Sequence, residues 1–337
     1  MTKLSFLDLV NVVEGETSAD AIRRVGPLAA HAEAHGYHRY WIAEHHGMEG
    51  VAAAATSLII AEAGRATSRM RIGSGGIMLP NHSPLVIAEQ FGTLDALFPG
   101  RVDLGLGRAP GADSRVARAL RRDFMTEAEK FPRNVVELRA HFTGDPDLGV
   151  LAVPGRGADI EMWILGSSLF GAQLAAALGM PYAFASHFAP DQLDEALMIY
   201  RRDFRPSARL REPYAAAALS AVAADTTAEA EYIASSMMQN FVALRTGRPG
   251  KLPPPVENYV ASLPPSASAM LGHVLQCSAF GSVEDVARGL ARFIARTQVD
   301  EVIVHSPAFD PDARLKSVAL IADAFRAVEA GQTTAPA

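Results

Sequence analysis

Three short stretches carry side chains that could do chemistry. The first is Trp41–Gly47, "WIAEHHG", an apolar run ending in one carboxylate and two imidazoles. Such a set can bind a metal, move protons or hydrogen bond across a strand end. His45 and His46 are adjacent, and neighbouring strand residues point to opposite faces, so the two cannot share one metal while the chain is extended. Zinc motifs such as His-Glu-x-x-His need helical spacing, which "EHHG" lacks. Beside a metal at Glu44, His45 and His46, which this spacing disfavours, two roles are open: an acid–base or ligand contact, for which a group titrating near neutrality is suited, and a structural hydrogen bond. The second stretch is "DLGLGRAPG", residues 103–111. Its Gly105, Gly107 and Gly111 spell GxGxxxG, one residue off the dinucleotide fingerprint. Arg108 follows the run, where it can hold a phosphate or make a surface ion pair. The third is "WILGSSLFGAQLAAALG", residues 163–179. A strand ending at Leu165, a turn of Gly166, Ser167 and Ser168 and a following helix would aim free N–H groups and hydroxyls at an anion. The plainer reading of the same serines is a helix N-cap. No GxSxG elbow occurs, which argues against a serine hydrolase.

These stretches need elements to place them. Short β-rich runs alternate with Ala-rich segments of helical period. The expected strands are Leu4–Val10, Tyr37–Ala43, Met70–Leu79, Val102–Gly107, Glu161–Leu165, Pro181–Ala185, Ala216–Ala223 and Glu301–Val304. Amphipathic helices are expected over 18–35 (Ile22, Val25, Leu28, Ala29, Ala32), 84–97 (Val86, Ile87, Phe91, Leu94, Leu97) and 282–297 (Val283, Val286, Leu290, Phe293, Ile294). Ser18 and Ser282 are the expected N-caps, the second with Asp285 in an approximate capping box. Eight strands with intervening helices make a (β/α)8 barrel, with a doubly wound open sheet as the alternative. The chemical stretches then fall at strand C-terminal ends, the catalytic face of such a barrel. The glycine run Gly73-Ser74-Gly75-Gly76 predicts a bulge or a close approach by backbone or ligand. His31 and His35 have i,i+4 spacing but precede a strand, on the barrel's outer surface. Residues 245–270 hold five prolines after Pro249, a pattern expected to suit neither helix nor central strand. This insertion near the seventh strand is expected to be a mobile loop or a lid. We expect a single domain over 1–330 and a frayed tail over 331–337.

The whole chain narrows the function classes. Of 337 residues, 49% are hydrophobic and 20% charged, as in a globular protein with a large core. A net charge of -6 argues against nucleic-acid or acidic-membrane partners. The lone Cys277 allows no intrachain disulfide and no cysteine metal cluster, which suits the cytoplasm. The N-terminus does not read as a signal peptide, and no window is apolar enough to span a bilayer.

Three blocks in order, "YHRYWIAEHH" (37–46), "RIGSGGIMLPNHSPLVIAEQFGTLDALFPGRVDLGLGRAPG" (71–111) and "WILGSSLFGAQLAA" (163–176), resemble the bacterial luciferase-like flavin monooxygenase family, in its single-chain, non-luminescent subgroup. The resemblance implies a TIM barrel with an insertion near the seventh strand. It implies reduced FMN as cosubstrate, delivered by a separate NAD(P)H-flavin reductase, with O2 activated as a flavin C4a-hydroperoxide that oxygenates a small organic substrate. It also implies a homodimer. By the same resemblance His45 is the active-site histidine. Gly75 and Gly76 form the strand-end peptide, commonly a non-prolyl cis bond, against the flavin ring. Arg108, Arg133, Gly166, Ser167 and Ser168 bind its phosphate. Luciferase's catalytic subunit carries a reactive cysteine just before the arginine, and that place here is Gly107. Two rivals share the fold: a coenzyme F420-dependent hydride-transfer enzyme and a non-catalytic flavin-binding protein. No resident metal is expected.

Overall fold

Side chains alternate between two faces along every strand of this chain, and both faces are buried. A computed structural model describes residues 2–109, 114–120 and 124–332. Its strands are β1 (Lys3–Asp8), β2 (Arg39–Ile42), β3 (Arg71–Met78), β4 (Val102–Gly107), β5 (Glu161–Gly166), β6 (Tyr182–Phe184), β7 (Ala215–Ala223), β8 (Ser278–Gly281) and β9 (Glu301–His305). All pair in parallel in the order β6-β5-β4-β3-β2-β1-β9-β7-β8, and β6 also pairs with β7. That last pairing closes eight strands into a barrel, with β9 as its eighth and β8 as an extra strand. Helices lie between the strands, so the architecture is a TIM barrel. Every strand expected from the sequence is present. The extra one was not foreseen, because "SAFG" is too short to show a period.

The alternation sorts the barrel strands into two of the three apolar clusters among the described residues. Phe6, Tyr40, Ile42, Ile72, Leu104, Ile164 and Tyr182 face the helices. Their neighbours Leu7, Trp41, Ala43, Trp163, Ala183, Ala216, Ala218 and Ile303 form a separate cluster inside the barrel. The long Ala run of β7 makes sense here: small side chains leave room for Trp41 and Trp163, which meet edge to face at 5.1 Å. Below them, toward the strand N-termini, the interior is charged. Arg39, 1% exposed, pairs with Asp103 at 2.7 Å and Glu301 at 2.7 Å, and Arg71 also binds Asp103. A buried cation is tolerated because carboxylates surround it.

The helices depart from expectation at the ends. The segment 18–35 is two helices, Ser18–Arg23 and Val25–Ala34. Pro27 has no N–H for the carbonyl of Arg23, so the first helix stops there. Thr17, not Ser18, is its N-cap, in a capping box with Asp20. Ile22 falls on the exposed side, as do Val86 and Leu97 of the helix Pro84–Leu97. Ser282 and Asp285 form the anticipated capping box of the helix Val283–Thr297. His31 and His35 lie outside the barrel, and one ring nitrogen of His31 contacts the Leu315 carbonyl.

Residues 245–270 are more ordered than their prolines suggested. They contain the short helix Tyr259–Ser262 and the start of the helix Pro265–Val274. Pro264 and Pro265 occupy the N-cap and first helical position, where a missing N–H costs nothing. Leu252 is buried and bridges to Val13, with hydrogen bonds from Glu14 N–H to the Leu252 carbonyl and from Leu252 N–H to Val12. The insertion is thus tied to the loop after β1. Of the expected frayed tail, 333–337 lie outside the described residues. No described helix is long and apolar enough to cross a membrane.

Candidate active site

Strand β3 breaks register with β4 between Ser74 and Ile77, and the Gly75–Gly76 peptide inside the break is cis. Neither glycine has space for a side chain. A Cβ on Gly75 would lie 2.9 Å from Leu7 Cδ1 and 3.0 Å from Trp41, inside the barrel. A Cβ on Gly76 would lie 2.6 Å from the Gly105 carbonyl oxygen, which as backbone cannot swing away. The bulge and the close approach predicted by the glycine run are both present. Bare backbone is thereby presented toward the mouth of the barrel.

The ends of the next two strands form a candidate anion cradle. Register pairs Gly107 of β4 with Leu165 of β5, so Arg108 and Gly166 leave the sheet side by side. Ser168 is the N-cap of the helix Leu169–Leu178, with extended backbone, yet its side chain makes no capping bond. Ordinary serine capping is therefore not what these residues do. The first-turn N–H groups and both serine hydroxyls have no hydrogen-bond partner from a side chain among the described residues. The Arg108 guanidinium stacks 4.0 Å above the Phe170 ring of that same first turn. Stacking fixes the cation's position and leaves its edge N–H groups free. Arg133 is different. It lies exposed on the helix Phe131–Thr143 and contacts neither Arg108 nor the serine turn among the described residues. Gly111, the last glycine of the second stretch, lies outside the described residues.

Past the end of β2 the two imidazoles divide their work. Glu44 is 1% exposed. Its carboxylate accepts from His46 Nε2 at 2.6 Å, His82 Nε2 at 2.8 Å, the Met78 N–H at 3.0 Å and Asn81 Nδ2 at 3.4 Å. Burial alone would raise its pKa, but the two imidazoles and the Met78 N–H prevail and hold it at about 2. Glu44, His46 and His82 are the group of three among the described residues whose ligand atoms lie within 4.8 Å of one another. Each oxygen–nitrogen gap is of hydrogen-bond length, which an N–H from each imidazole would fill. Glu44 thus clamps the end of β2 to the turn after β3. His45 is left out of the clamp. Its Nδ1 is buried with no partner among the described residues, and burial, opposed by Glu44, keeps its pKa below the usual imidazole value.

Three polar residues at the mouth were not anticipated. His187 lies just past β6 and His305 ends β9, with ring centroids 5.2 Å apart. His187 Nδ1, both His305 ring nitrogens and the Ser220 hydroxyl of β7 are buried without partners among the described residues. His82 was also missed as a partner of Glu44. The sequence signal for these residues is weak: each is a lone histidine or serine in or just after an apolar strand, and nothing in their spacing links them.

A family model described as luciferase-like monooxygenase matches residues 1–301. The chain is 50% identical over 320 residues to the luciferase-like monooxygenase of Escherichia coli K12, covering 95% of this chain and 96% of that protein. The chain belongs to the luciferase-like monooxygenase family. Among solved structures, this family member superposes on apo-MsnO8 with a TM-score of 0.85 at 32% identity, covering 97% of this chain and 99% of that one. It shares its fold with the oxygenating constituent of 3,6-diketocamphane monooxygenase from Pseudomonas putida, solved with FMN, at a TM-score of 0.69 and 15% identity, covering 96% and 97%.

Proposed function

We propose that the protein is a monooxygenase that uses reduced FMN and O2 to oxygenate a small organic substrate. The observation that carries this reading is the uncapped helix start at Ser168 with Arg108 stacked on its first turn. An FMN phosphate needs backbone N–H donors, hydroxyls and a cation together, and those groups converge there with few competing bonds. One strand further on, the side-chain-free Gly75–Gly76 backbone fits a flat ring that must approach the barrel mouth closely. Arg133 is assigned to the same phosphate more loosely, since its exposed side chain would have to swing toward it.

When bound, the reduced flavin supplies the electrons and the oxygen-activating chemistry. The chain supplies the rest. Arg108, Ser167 and Ser168 hold the phosphate end. Gly75 and Gly76 seat the ring. Glu44, fixed by His46 and His82, holds the backbone on either side of His45, which would take or return a proton at its unpartnered nitrogen. Residues 245–270, anchored through Leu252 to the loop after β1, would exclude water from the mouth. A separate flavin reductase would deliver the cofactor, and a homodimer is the expected assembly.

The test is anaerobic titration with reduced FMN and with reduced F420. We expect FMN to bind, and Arg108→Ala to weaken it by about tenfold or more, as loss of a charge-assisted contact should. Unchanged FMN affinity in Arg108→Ala would remove the cradle from the account. Preference for F420 would convert the reading to hydride transfer.

A further inference from the structure

The inner mouth of the barrel carries more unpartnered polarity than the flavin reading uses. Buried polar atoms are almost always hydrogen bonded, so several adjacent exceptions call for a ligand. His187 is 9% exposed, His305 5% and Ser220 1%. Ser220 and His305 are direct register neighbours on β7 and β9. Leu7, the partner of His305 on β1, is the residue that the missing side chain of Gly75 would strike. The histidine pair and the glycine peptide therefore flank the same interior side chain.

We propose that His187, His305 and Ser220 form a receiving site for a carboxyl group of the organic substrate. The proposal rests on the monooxygenase reading for the reaction, but the binding it describes does not need flavin. Each neutral imidazole offers one donor and one acceptor, and the hydroxyl offers both. A carboxyl group with its proton matches that set, donating to one nitrogen and accepting from another. The positive charge of Arg314, which acts on His305, favours an acid over a neutral amide. Burial lowers the pKa of His305, and the charges acting on it are His187 and Arg314. Burial also lowers that of His187, to about 4, with His45 adding to the effect. Among the described residues no carboxylate stabilises either ring. Asp8 is already paired with Arg314 at 2.9 Å, on the helix-facing side of β1. On the His187 side, Ser186 donates to the Ala218 carbonyl, Cys277 is buried and protonated, and Arg245 lies over the Phe188 ring. Arg314 is held by Asp8, and among the described residues no unpaired cation lines the pocket, so a bound carboxyl group must arrive with about one proton, shared with the imidazole pair.

The experiment uses hexanoate as probe, with hexanamide as its neutral match, on the full chain with and without FMN. Histidine side-chain NMR signals, assigned with His187→Phe and His305→Phe, report the site, and calorimetry in buffers of different ionisation heat counts protons. We expect hexanoate to shift both imidazoles, to bring about one proton, and to bind at least about tenfold more weakly to His305→Phe. FMN affinity should stay within about twofold in that variant. If His305→Phe does not fold, Ser220→Ala with His187→Phe replaces it. Equal binding of hexanamide, no shift of either imidazole, or the same shifts from FMN alone would overturn the proposal. Loss of FMN binding by the wild type, with hexanoate still shifting His187 and His305, would instead count against the flavin reading and leave the carboxyl site standing.

Discussion

Glu44→Gln isolates the clamp behind the active-site histidine. The carboxyl is buried, and hydrogen bonds from His46, His82 and Met78 hold it at about 2 rather than its ordinary 4.5. A difference of that size corresponds to about 3 kcal/mol of folding stability at neutral pH. Glutamine keeps the shape but removes the charge and turns one acceptor into a donor facing two imidazoles. We therefore expect Glu44→Gln to lose about 3 kcal/mol in urea unfolding at pH 7. Because the folded-state pKa is depressed, the wild-type advantage is complete above about 4.5 and fades as pH falls toward about 2. The gap between wild type and variant should therefore narrow between pH 5 and pH 3. A loss under about 1 kcal/mol at pH 7, or a gap that stays constant with pH, would refute the claim that ionised Glu44 is the keystone of the clamp.

Other expectations follow from the same geometry. Arg39→Met strands Glu301 and leaves Asp103 with Arg71 alone, and should cost about 3–5 kcal/mol. Burial already raises the Asp103 pKa, so the variant should recover part of that loss as pH is lowered and an unpaired carboxyl takes up a proton; unfolding curves at two pH values check this. Gly76→Ala should lower the melting temperature and abolish FMN binding, because its Cβ meets backbone at 2.6 Å. Gly272→Ala, a helical position with open space around it, should be neutral or slightly stabilising in the same melts. Dialysis against EDTA should leave activity unchanged, since the Glu44–His46 and Glu44–His82 gaps are of hydrogen-bond length; a loss restored by a divalent cation would show otherwise.

Much of this architecture is legible in the sequence because a parallel barrel buries both faces of its strands. Runs such as those of β1, β4 and β9 stand out as apolar blocks between helical stretches. β7 reads as a strand despite its alanines because the run is bounded by turn residues. The helix at Pro265 and the strand at Ser278 were hidden for local reasons: prolines at a helix start resemble a loop, and four residues show no period. The site splits the same way. Gly75, Gly76, Arg108 and the serine turn are contiguous in short motifs, so their grouping at adjacent strand ends follows from strand order. His187, His305 and Ser220 come from three separate strands, and only barrel closure brings them together. Arg133 shows the converse, a residue singled out by resemblance that no contact among the described residues joins to the candidate cradle.

The central claim is oxygen transfer supported by reduced FMN. Its most direct test incubates the protein with reduced FMN, isotopically labelled O2 and a panel of small organic compounds, rich in carboxylic acids, followed by mass spectrometry. The account predicts a product that gains one labelled oxygen atom with the wild type and not with His45→Ala, while FMN affinity stays within a few-fold in that variant. Oxidation of reduced FMN at its uncatalysed rate, with no label in any compound, would contradict it.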